Sequence, residues 1–247
     1  PDPRARLAVV REELIGRRAA EIRGMFGRIA HRYDLANRVL SLGLDVRWRR
    51  EVALRVAAAR PRRVVDVCTG TGDLALAFDA PTLGSDFCLP MLARARAKAA
   101  ARRRPLALVA ADALRLPLGD ATVDVATVAF GVRNFEDLDR GLSELVRILV
   151  PGGRLLILEF SRPHGVFGPL LRWWVRTVPP LVGRWISGDG EAYSYLPASV
   201  GRFPDRDEMV ERLRALGLEP VLARRLTGGV ATLYEGVRRD RKAGSDE

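Results

Sequence analysis

Short apolar runs and amphipathic stretches alternate along the middle of this 247-residue chain. The apolar runs have the length of β-strands and are apolar at nearly every position, which is typical of parallel strands covered on both faces. The amphipathic stretches repeat their apolar residues at helical spacing. The sequence predicts strands at 63–68, 82–87, 106–110, 123–129 and 154–160, and helices at 73–79, 89–103 and 136–149. Pro-Gly-Gly at 151–153 predicts a turn before the last of these strands. The predicted fold class is therefore α/β, with a doubly wound and mostly parallel sheet.

Both ends of the chain depart from this alternation. Towards the amino terminus, helical spacing predicts helices over 5–24, 35–42 and 46–60, and Pro61 ends the last of them. Towards the carboxyl terminus, a helix at 205–216 precedes strands at 219–226 and 229–237, which a turn at 227–229 joins into an antiparallel hairpin. These two strands bring the predicted sheet to seven strands.

The chain therefore divides into five predicted parts. They are an amino-terminal helical lid (1–60), a ligand-binding α/β core (61–160), a helical insertion (161–203), the completion of the core sheet (204–237) and a disordered tail (238–247). The insertion is set apart by its content of Pro, Gly and Trp. The tail is charged and lacks an apolar pattern.

The most informative segment joins the first predicted strand to its helix. Within residues 64–73, the buried strand breaks into a turn that contains Gly70 and Gly72. This geometry brings backbone N–H groups and a helix start to a ligand at the edge of a sheet. Asp86 follows Asp66 by 20 residues and closes the next strand, a spacing at which an acid binds the two hydroxyls of an adenosine ribose. The segment thus indicates a cofactor that contains adenosine.

Four interpretations of this turn compete. A dinucleotide site needs G-x-G-x-x-G, and here Asp73 would place a carboxylate beside the pyrophosphate. A P-loop needs a lysine directly after its glycines, and none is present. S-adenosylmethionine carries a sulfonium and an ammonium, so nearby carboxylates such as Asp66 and Asp73 favour it. The fourth interpretation is an ordinary strand-to-helix turn without a ligand.

Composition narrows the class of protein. A hydrophobic content of 48% suffices for a sizeable core. The chain has no run of 18 apolar residues and no apolar leader at its start, so a reduced cytosolic protein is expected. Neither the two cysteines, Cys68 and Cys88, nor the two histidines, His31 and His164, show the spacing of metal ligands, so no metal is expected.

The net charge of +11 comes almost entirely from arginine, because only Lys98 and Lys242 are lysines among 41 basic residues. Such an excess can indicate an anionic membrane surface or nucleic acid. The arginines are spread along the chain rather than gathered in one tract, which also fits solvated faces without a partner. Nucleic acid is the least favoured of the three interpretations.

Four segments match a known family: 25–37, 66–74, 128–134 and 147–160. The Phe-Gly-x-Arg-Asn sequence of 130–134 and the Tyr-Asp-x-x-Asn sequence of 33–37 are the most particular of them, whereas Pro-Gly-Gly at 151–153 occurs in many class I methyltransferases. Over about residues 25–236 the chain resembles the C-methyltransferases of menaquinone and ubiquinone biosynthesis, the demethylmenaquinone methyltransferase type. The resemblance implies a Rossmann-like methyltransferase fold and S-adenosylmethionine as the cofactor.

The resemblance also implies cofactor contacts at Thr71, Asp86 and the pair Asp112-Ala113. Together with the turn, the candidate cofactor-binding residues are Asp66, Gly70, Thr71, Gly72, Asp86, Asp112 and Ala113. Two departures from the family concern this side. Ala129 stands where some members have a serine contact, and the stretch between Gly72 and Thr82 is short, which shortens the first helix.

The candidate catalytic residues are Arg133, Asn134 and Tyr33. Carbon methylation of a quinol needs a deprotonated ring hydroxyl and a limited access of water. Arginine stays protonated, so we expect Arg133 to lower the quinol pKa by its charge and, with Asn134, to hold a water that removes the proton. Tyr33 is expected to contact or orient the ring. A structural ion pair between Arg133 and Asp137 or Glu136, and a merely packed Tyr33, are the alternatives.

The expected acceptor is a prenylated quinol, most simply demethylmenaquinol, with a ubiquinone precursor as the alternative. Its isoprenoid tail predicts a peripheral contact with the membrane, for which the tryptophan-rich stretch 167–186 is the candidate, although this stretch also fits a helix packed on the sheet. A second copy of the chain is a further expected partner. A methyltransferase acting on RNA or another small molecule, and a scaffold without activity, stay open at this point.

Overall fold

One seven-stranded sheet forms the centre of the protein in a computed structural model that describes residues 20–28, 30–31, 33–162, 177 and 199–240. The strands are β1 (Val64–Val67), β2 (Thr82–Asp86), β3 (Ala107–Ala110), β4 (Val123–Ala129), β5 (Leu149–Phe160), β6 (Leu218–Leu226) and β7 (Ala231–Arg238). Their order across the sheet is β3-β2-β1-β4-β5-β7-β6, and β7 runs antiparallel to both of its neighbours. The predicted mostly parallel sheet with an antiparallel hairpin at its end is confirmed.

Helices cover both faces of the sheet, as a doubly wound fold requires. They are α1 (Tyr33–Leu40), α2 (Leu44–Ala59), α3 (Leu89–Ala101), α4 (Leu138–Ile148) and α5 (Arg206–Ala215). Two of the apolar clusters among the described residues join the sheet to these helices. One joins the sheet to α4 and α5 through residues such as Leu145 and Met209, and the other joins it to α2 through Trp48, Val52 and Val56.

Local chemistry sets where several helices begin and end. The Asp205 carboxylate accepts from the backbone N–H groups of Asp207 and Glu208, and Asp137 accepts from that of Arg140, so α5 and α4 both begin at an aspartate cap. Helix α2 ends at Arg60, which has the left-handed φ of 48° and precedes Pro61. The sequence predicted these three boundaries to within two residues.

Two local predictions were wrong. The helix expected at 73–79 is a single 3-10 turn, Ala75–Ala77, because only nine residues separate Gly72 from β2 and four of them, Leu74, Ala75, Leu76 and Phe78, are buried. The turn expected at 151–153 lies inside β5. Leu149 pairs with Val123 and Arg154 pairs with Val125, so the Pro-Gly-Gly sequence forms an irregularity within one long strand.

Several predictions fall outside the described residues. They concern most of the helix at 5–24, most of the insertion at 161–203, including its tryptophans, and the tail from 241 onwards. At the edges of these gaps, residues 20–28 and 199–202 are helical. Among the described residues, no helix has the length and hydropathy needed to cross a membrane.

Candidate active site

A cleft opens at the carboxyl ends of β1, β2, β3 and β4, where open α/β sheets place their ligands. Its empty volume is about 810 Å³, including its opening to solvent. Six of the predicted site residues line it: Tyr33, Gly70, Asp86, Asp112, Ala113 and Asn134. Asp66, Thr71, Gly72 and Arg133 are not among its lining residues. The structure thus brings both predicted halves of the site to one cleft but places four of the predicted residues behind its wall.

The glycine turn after β1 is shaped by three residues with positive φ: Cys68 at 54°, Gly70 at 55° and Gly72 at 81°. A Cβ at Gly70 would meet no atom within 4 Å, which leaves the backbone at this point open. A Cβ at Gly72 would come within 3.1 Å of the Ala95 Cβ on α3. Gly70 is therefore the glycine that a ligand can approach, and Gly72 is the one that lets the turn pack against a helix.

Asp86 is held in place by the backbone. Its Oδ2 accepts from the Gly70 N–H and its Oδ1 from the Cys88 N–H, both at 2.8 Å. Burial raises the pKa of this carboxyl, and hydrogen bonds from Cys88, Gly70 and Phe87 act against that rise. Each oxygen keeps a further lone pair, so a fixed carboxylate can accept from two vicinal hydroxyls. Its geometry fits the ribose role that the sequence predicts.

Asp66 lies under the glycine turn and is 1% exposed. It accepts from the Thr69 hydroxyl at 2.7 Å and from the Thr127 hydroxyl on β4 at 2.6 Å. It therefore ties the turn to the sheet. Burial raises the pKa of Asp66 to about 6, against the opposing effect of the two hydroxyls.

This raised pKa predicts a pH-dependent effect of Asp66→Asn on stability. The folded protein binds the Asp66 proton more tightly than the unfolded chain, so the associated stability is complete below about pH 4 and is lost as the pH rises through 6. The free energy of unfolding of the variant, minus that of the wild type, should therefore increase between pH 4 and pH 7 by up to about 3 kcal/mol. Urea unfolding of both proteins across this range measures the difference, and a difference that is constant with pH would contradict the prediction.

Thr71 belongs to a polar network that joins α1 to the turn. Its hydroxyl donates to Asp34 Oδ1 at 2.6 Å and accepts from Lys98 Nζ at 2.8 Å. Lys98 also contacts Asp34 Oδ2 at 2.6 Å and Asp73 Oδ1 at 2.7 Å. Although burial acts to raise it, the pKa of Asp73 is lowered by Lys98, Arg49 and Arg102. Asp73 is thus paired with protein cations, and the expected charge interaction between Asp73 and a cationic ligand is not supported.

Asp112 and Ala113 follow β3 and form the far wall of the cleft. Asp112 is exposed, and its Oδ1 accepts from the Leu114 N–H at 2.9 Å. Ala113 is 8% exposed, so this wall pairs a polar side chain with an apolar surface. Such a surface suits a flat heteroaromatic ring with a polar edge.

Aromatic rings form the opposite wall, at the end of β4. The Phe130 ring lies 4.4 Å from the Phe160 ring and 6.1 Å from the Trp48 ring, measured between centroids. Phe130 has a φ of 59°, which is unusual for a residue with a Cβ. The guanidinium carbon of Arg49 lies 5.8 Å from the centre of the Phe130 ring. Phe160, Trp48 and Arg49 are not lining residues of the cleft, so they support the Phe130 ring from behind.

Arg133 is buried behind this wall. Its Nη1 lies 2.7 Å from Glu159 Oε1 on β5 and also donates to the Phe130 carbonyl. The structural alternative for Arg133 is therefore realised as an ion pair with Glu159. Asp137, one of the two partners considered from the sequence, caps α4 instead.

Tyr33 lines the cleft from the start of α1. It is half-buried at the start of α1, and its ring meets the Phe26 ring edge-on with centroids 5.9 Å apart. Burial raises the pKa of the Tyr33 hydroxyl, and the positive charge of Arg133 acts against that rise. Of the predicted catalytic residues, Tyr33 and Asn134 line the cleft, and Arg133 lies behind Phe130. Asn134 follows Arg133 in the 3-10 turn Val132–Asn134.

Gly131 makes a close contact that predicts a large steric effect. A Cβ at this position would lie 2.5 Å from the Cys68 Cβ and 2.9 Å from its Sγ. We expect Gly131→Ala to lower the free energy of unfolding by about 2–3 kcal/mol. Adding Cys68→Gly should restore most of the loss, because it removes the clashing atoms and glycine tolerates the φ of 54° at that position.

Denaturant unfolding of the Gly131 and Cys68 variants measures this effect. Gly201→Ala is the control, because a Cβ there would meet no atom within 4 Å. Equal stability of Gly131→Ala and the wild type, or no recovery in the double variant, would show that the two turns do not constrain each other.

Sequence reasoning missed Glu159, Lys98 and Phe26 at this site. Two of them could have been found from the sequence: Lys98 is one of only two lysines in the chain, and Glu159 is an acid that follows four apolar residues in the predicted strand 154–160. Within the part of the chain that the structure describes, no group of three His, Cys, Asp or Glu side chains could hold a metal ion.

Comparison with known proteins gives matches over most of the chain. The model of the ubiE/COQ5 methyltransferase family matches residues 14–238. A demethylmenaquinone methyltransferase of Deinococcus radiodurans is 46% identical over 224 residues, covering 88% of this chain and 92% of the relative. One from Thermus thermophilus is 47% identical over 220 residues, covering 87% of this chain and all of the relative. A ubiquinone/menaquinone biosynthesis C-methyltransferase of Syntrophotalea carbinolica is 43% identical, covering 88% and 94%.

Solved structures show the same fold at low sequence identity. A SAM-dependent methyltransferase of Thermotoga maritima, described as a possible histamine N-methyltransferase, superposes with a TM-score of 0.61 at 19% identity, covering 87% of this chain and 99% of that one. A phosphoethanolamine N-methyltransferase of Haemonchus contortus, solved with S-adenosylhomocysteine, gives a TM-score of 0.54 at 14% identity, covering 72% and 49%. These structures confirm the predicted class I methyltransferase fold.

Proposed function

Because the chain belongs to the ubiE/COQ5 methyltransferase family, we propose that it transfers a methyl group from S-adenosylmethionine to a ring carbon of a prenylated quinol, demethylmenaquinol. The relatives from Deinococcus and Thermus are named demethylmenaquinone methyltransferases. They are 46% and 47% identical to this chain over the matched residues. The observation that carries the proposal for this chain is that Asp86, at the end of β2, and Asn134, after β4, line the same cleft.

The described residues fit the cofactor on one side of this cleft. Asp86 offers a fixed carboxylate to the ribose, the open backbone at Gly70 allows a close approach, and Asp112 and Ala113 offer a polar edge and an apolar surface to the adenine. S-adenosylmethionine supplies an electrophilic methyl group when bound. Thr71 and Asp66 support this side from behind, by fixing the turn, and we assign them no direct contact.

We assign the acceptor side to Arg133, Asn134 and Tyr33. The Arg133 guanidinium offers a positive charge, so its part is to stabilise a phenolate and thereby lower the pKa of the quinol hydroxyl. Asn134 can hold the water that takes the proton away. Tyr33 and Phe26 limit the access of bulk water and present ring faces and edges to the quinol.

We assign a separate function to each part of the chain. The lid (1–60) closes the cleft, the core (61–160) with its completion (204–237) binds the cofactor, and the insertion (161–203) meets the isoprenoid tail. We propose a peripheral contact with an anionic membrane surface, supported by the net charge of +11 and the three tryptophans of 167–186. A homodimer is part of the same proposal.

Product analysis tests the reaction directly. The purified protein is incubated with S-adenosylmethionine carrying a labelled methyl group and with demethylmenaquinol, the corresponding ubiquinone precursor or a short RNA. Mass spectrometry should find the label on the ring carbon of menaquinol and on neither other acceptor. Label only on the ubiquinone precursor would change the assigned acceptor, and label only on RNA would overturn the proposed function.

A further inference from the structure

We propose that Glu159 is a positioning residue for the reaction, because its carboxylate fixes the guanidinium of Arg133 behind the acceptor side of the cleft. The inference rests on the proposed function. It assigns a role to a residue that touches neither the cofactor nor the acceptor and acts only through Arg133.

Glu159 is 0% exposed, and three hydrogen bonds fix its carboxylate. Oε1 accepts from Arg133 Nη1 at 2.7 Å and from the Phe160 N–H at 2.8 Å. Oε2 accepts from the Arg133 N–H at 3.2 Å. One carboxylate thus holds both the backbone and the side chain of Arg133 in a single arrangement.

The guanidinium is restrained on its other sides as well. Its carbon lies 5.4 Å from the centre of the Phe160 ring, and Nη1 also donates to the Phe130 carbonyl. The Arg133 side chain is 6% exposed, and among the described residues its Nε has no hydrogen-bond partner. The guanidinium therefore cannot turn without losing the Glu159 contact, which holds its charge beside Phe130, a lining residue of the cleft.

Stability alone does not account for this ion pair. A buried pair is costly to desolvate, and an apolar pair of similar volume is often as stable. The neighbouring strand β7 carries another buried glutamate, Glu235, which pairs with Arg55 and Arg154 and lies opposite Leu156, three residues before Glu159 on β5. Only the Glu159 pair lies next to Phe130 at the cleft, which points to a role in positioning charge there.

The test compares Glu159→Gln with the wild type and with Glu235→Gln. Glutamine keeps the shape of Glu159 but loses the charge that orients Arg133. We expect kcat for demethylmenaquinol to fall about 10- to 100-fold, with KM and the Kd for S-adenosylmethionine changed less than about threefold. Glu235→Gln, which also removes a buried carboxylate paired with arginine, should keep wild-type kcat.

A double-mutant cycle separates positioning from a general structural role. In an Arg133→Met background, Glu159→Gln should lower kcat by less than about twofold further, because the residue that it positions is already absent. Two independent losses that multiply would overturn the inference. Wild-type kcat in Glu159→Gln would overturn it as well.

Glu159→Asp covers the case in which the glutamine variant does not fold. Aspartate keeps the charge but withdraws the carboxylate by one methylene, so kcat should fall about tenfold while the Kd for S-adenosylmethionine is kept. Wild-type kcat in this variant overturns the inference. If the wild-type protein methylates no quinol, the proposed function is wrong. If the wild type is active and Glu159→Gln or Glu159→Asp keeps its kcat, only the role of Glu159 is wrong.

Discussion

Asp86→Ala is expected to weaken the binding of S-adenosylmethionine by at least about 100-fold, with little change in the fold of the sheet. Two charge-assisted hydrogen bonds to ribose hydroxyls contribute about 1.5 kcal/mol each, and both are lost. The backbone N–H groups of Gly70 and Cys88 lose their acceptor too, so the turn that approaches the cofactor is no longer fixed.

Isothermal titration calorimetry measures this change. Asp79→Ala is the matched control, because Asp79 lies in the connection that leads to β2, and its side chain is 94% exposed and pairs with Arg104 at the surface. A dissociation constant for Asp86→Ala within about threefold of that of the wild type would show that the cofactor does not use this carboxylate.

Arg133→Met is expected to lower kcat for the quinol by about 1000-fold while the Kd for S-adenosylmethionine changes less than about threefold. The positive charge that stabilises the phenolate is lost, and the cofactor side of the cleft is untouched. The single variant also leaves the Glu159 carboxylate buried without its partner, which should cost about 3–5 kcal/mol of stability.

Single-turnover kinetics with saturating cofactor separate these effects, since only folded protein binds the cofactor. Arg154→Met is the control, because Arg154 also pairs with a buried glutamate but lies on β5 five residues before Glu159, away from the carboxyl end of the strand. Full turnover by Arg133→Met that still binds S-adenosylmethionine would remove Arg133 from the acceptor side.

The strands of the core could be predicted from the sequence because burial on both faces leaves a direct signal. The predicted strand at 123–129 coincides with β4, and the strands around it agree to within a few residues at most boundaries. The predictions of a helix at 73–79 and of a turn at 151–153 were wrong for a common reason. Local preference favoured a regular element or a break, whereas the short connection and the pairing of β5 with β4 decided otherwise.

The candidate site could be predicted only in part for a similar reason. Asp86 and Asn134 lie at the ends of strands, where the topology alone brings them to the cleft. Whether a residue in a turn faces the ligand or the protein depends on side-chain direction, which spacing does not reveal. Thr71 faces Lys98 and Asp34, and Arg133 faces Glu159, which lies 26 residues away in the chain.

Lys98 gives the protein a chemical reporter of its own. It is one of two lysines in 247 residues, and the other, Lys242, lies five residues before Glu247. The Lys98 ammonium donates to Thr71 and Asp73 and contacts Asp34 at the start of α1, so its nitrogen becomes nucleophilic only when these contacts open. The rate at which an amine-directed reagent acylates Lys98, read against Lys242 in the same molecule, therefore measures how often α1 leaves the glycine turn. It should fall when S-adenosylmethionine is added and rise in Asp34→Asn, and mass spectrometry of the two peptides records both.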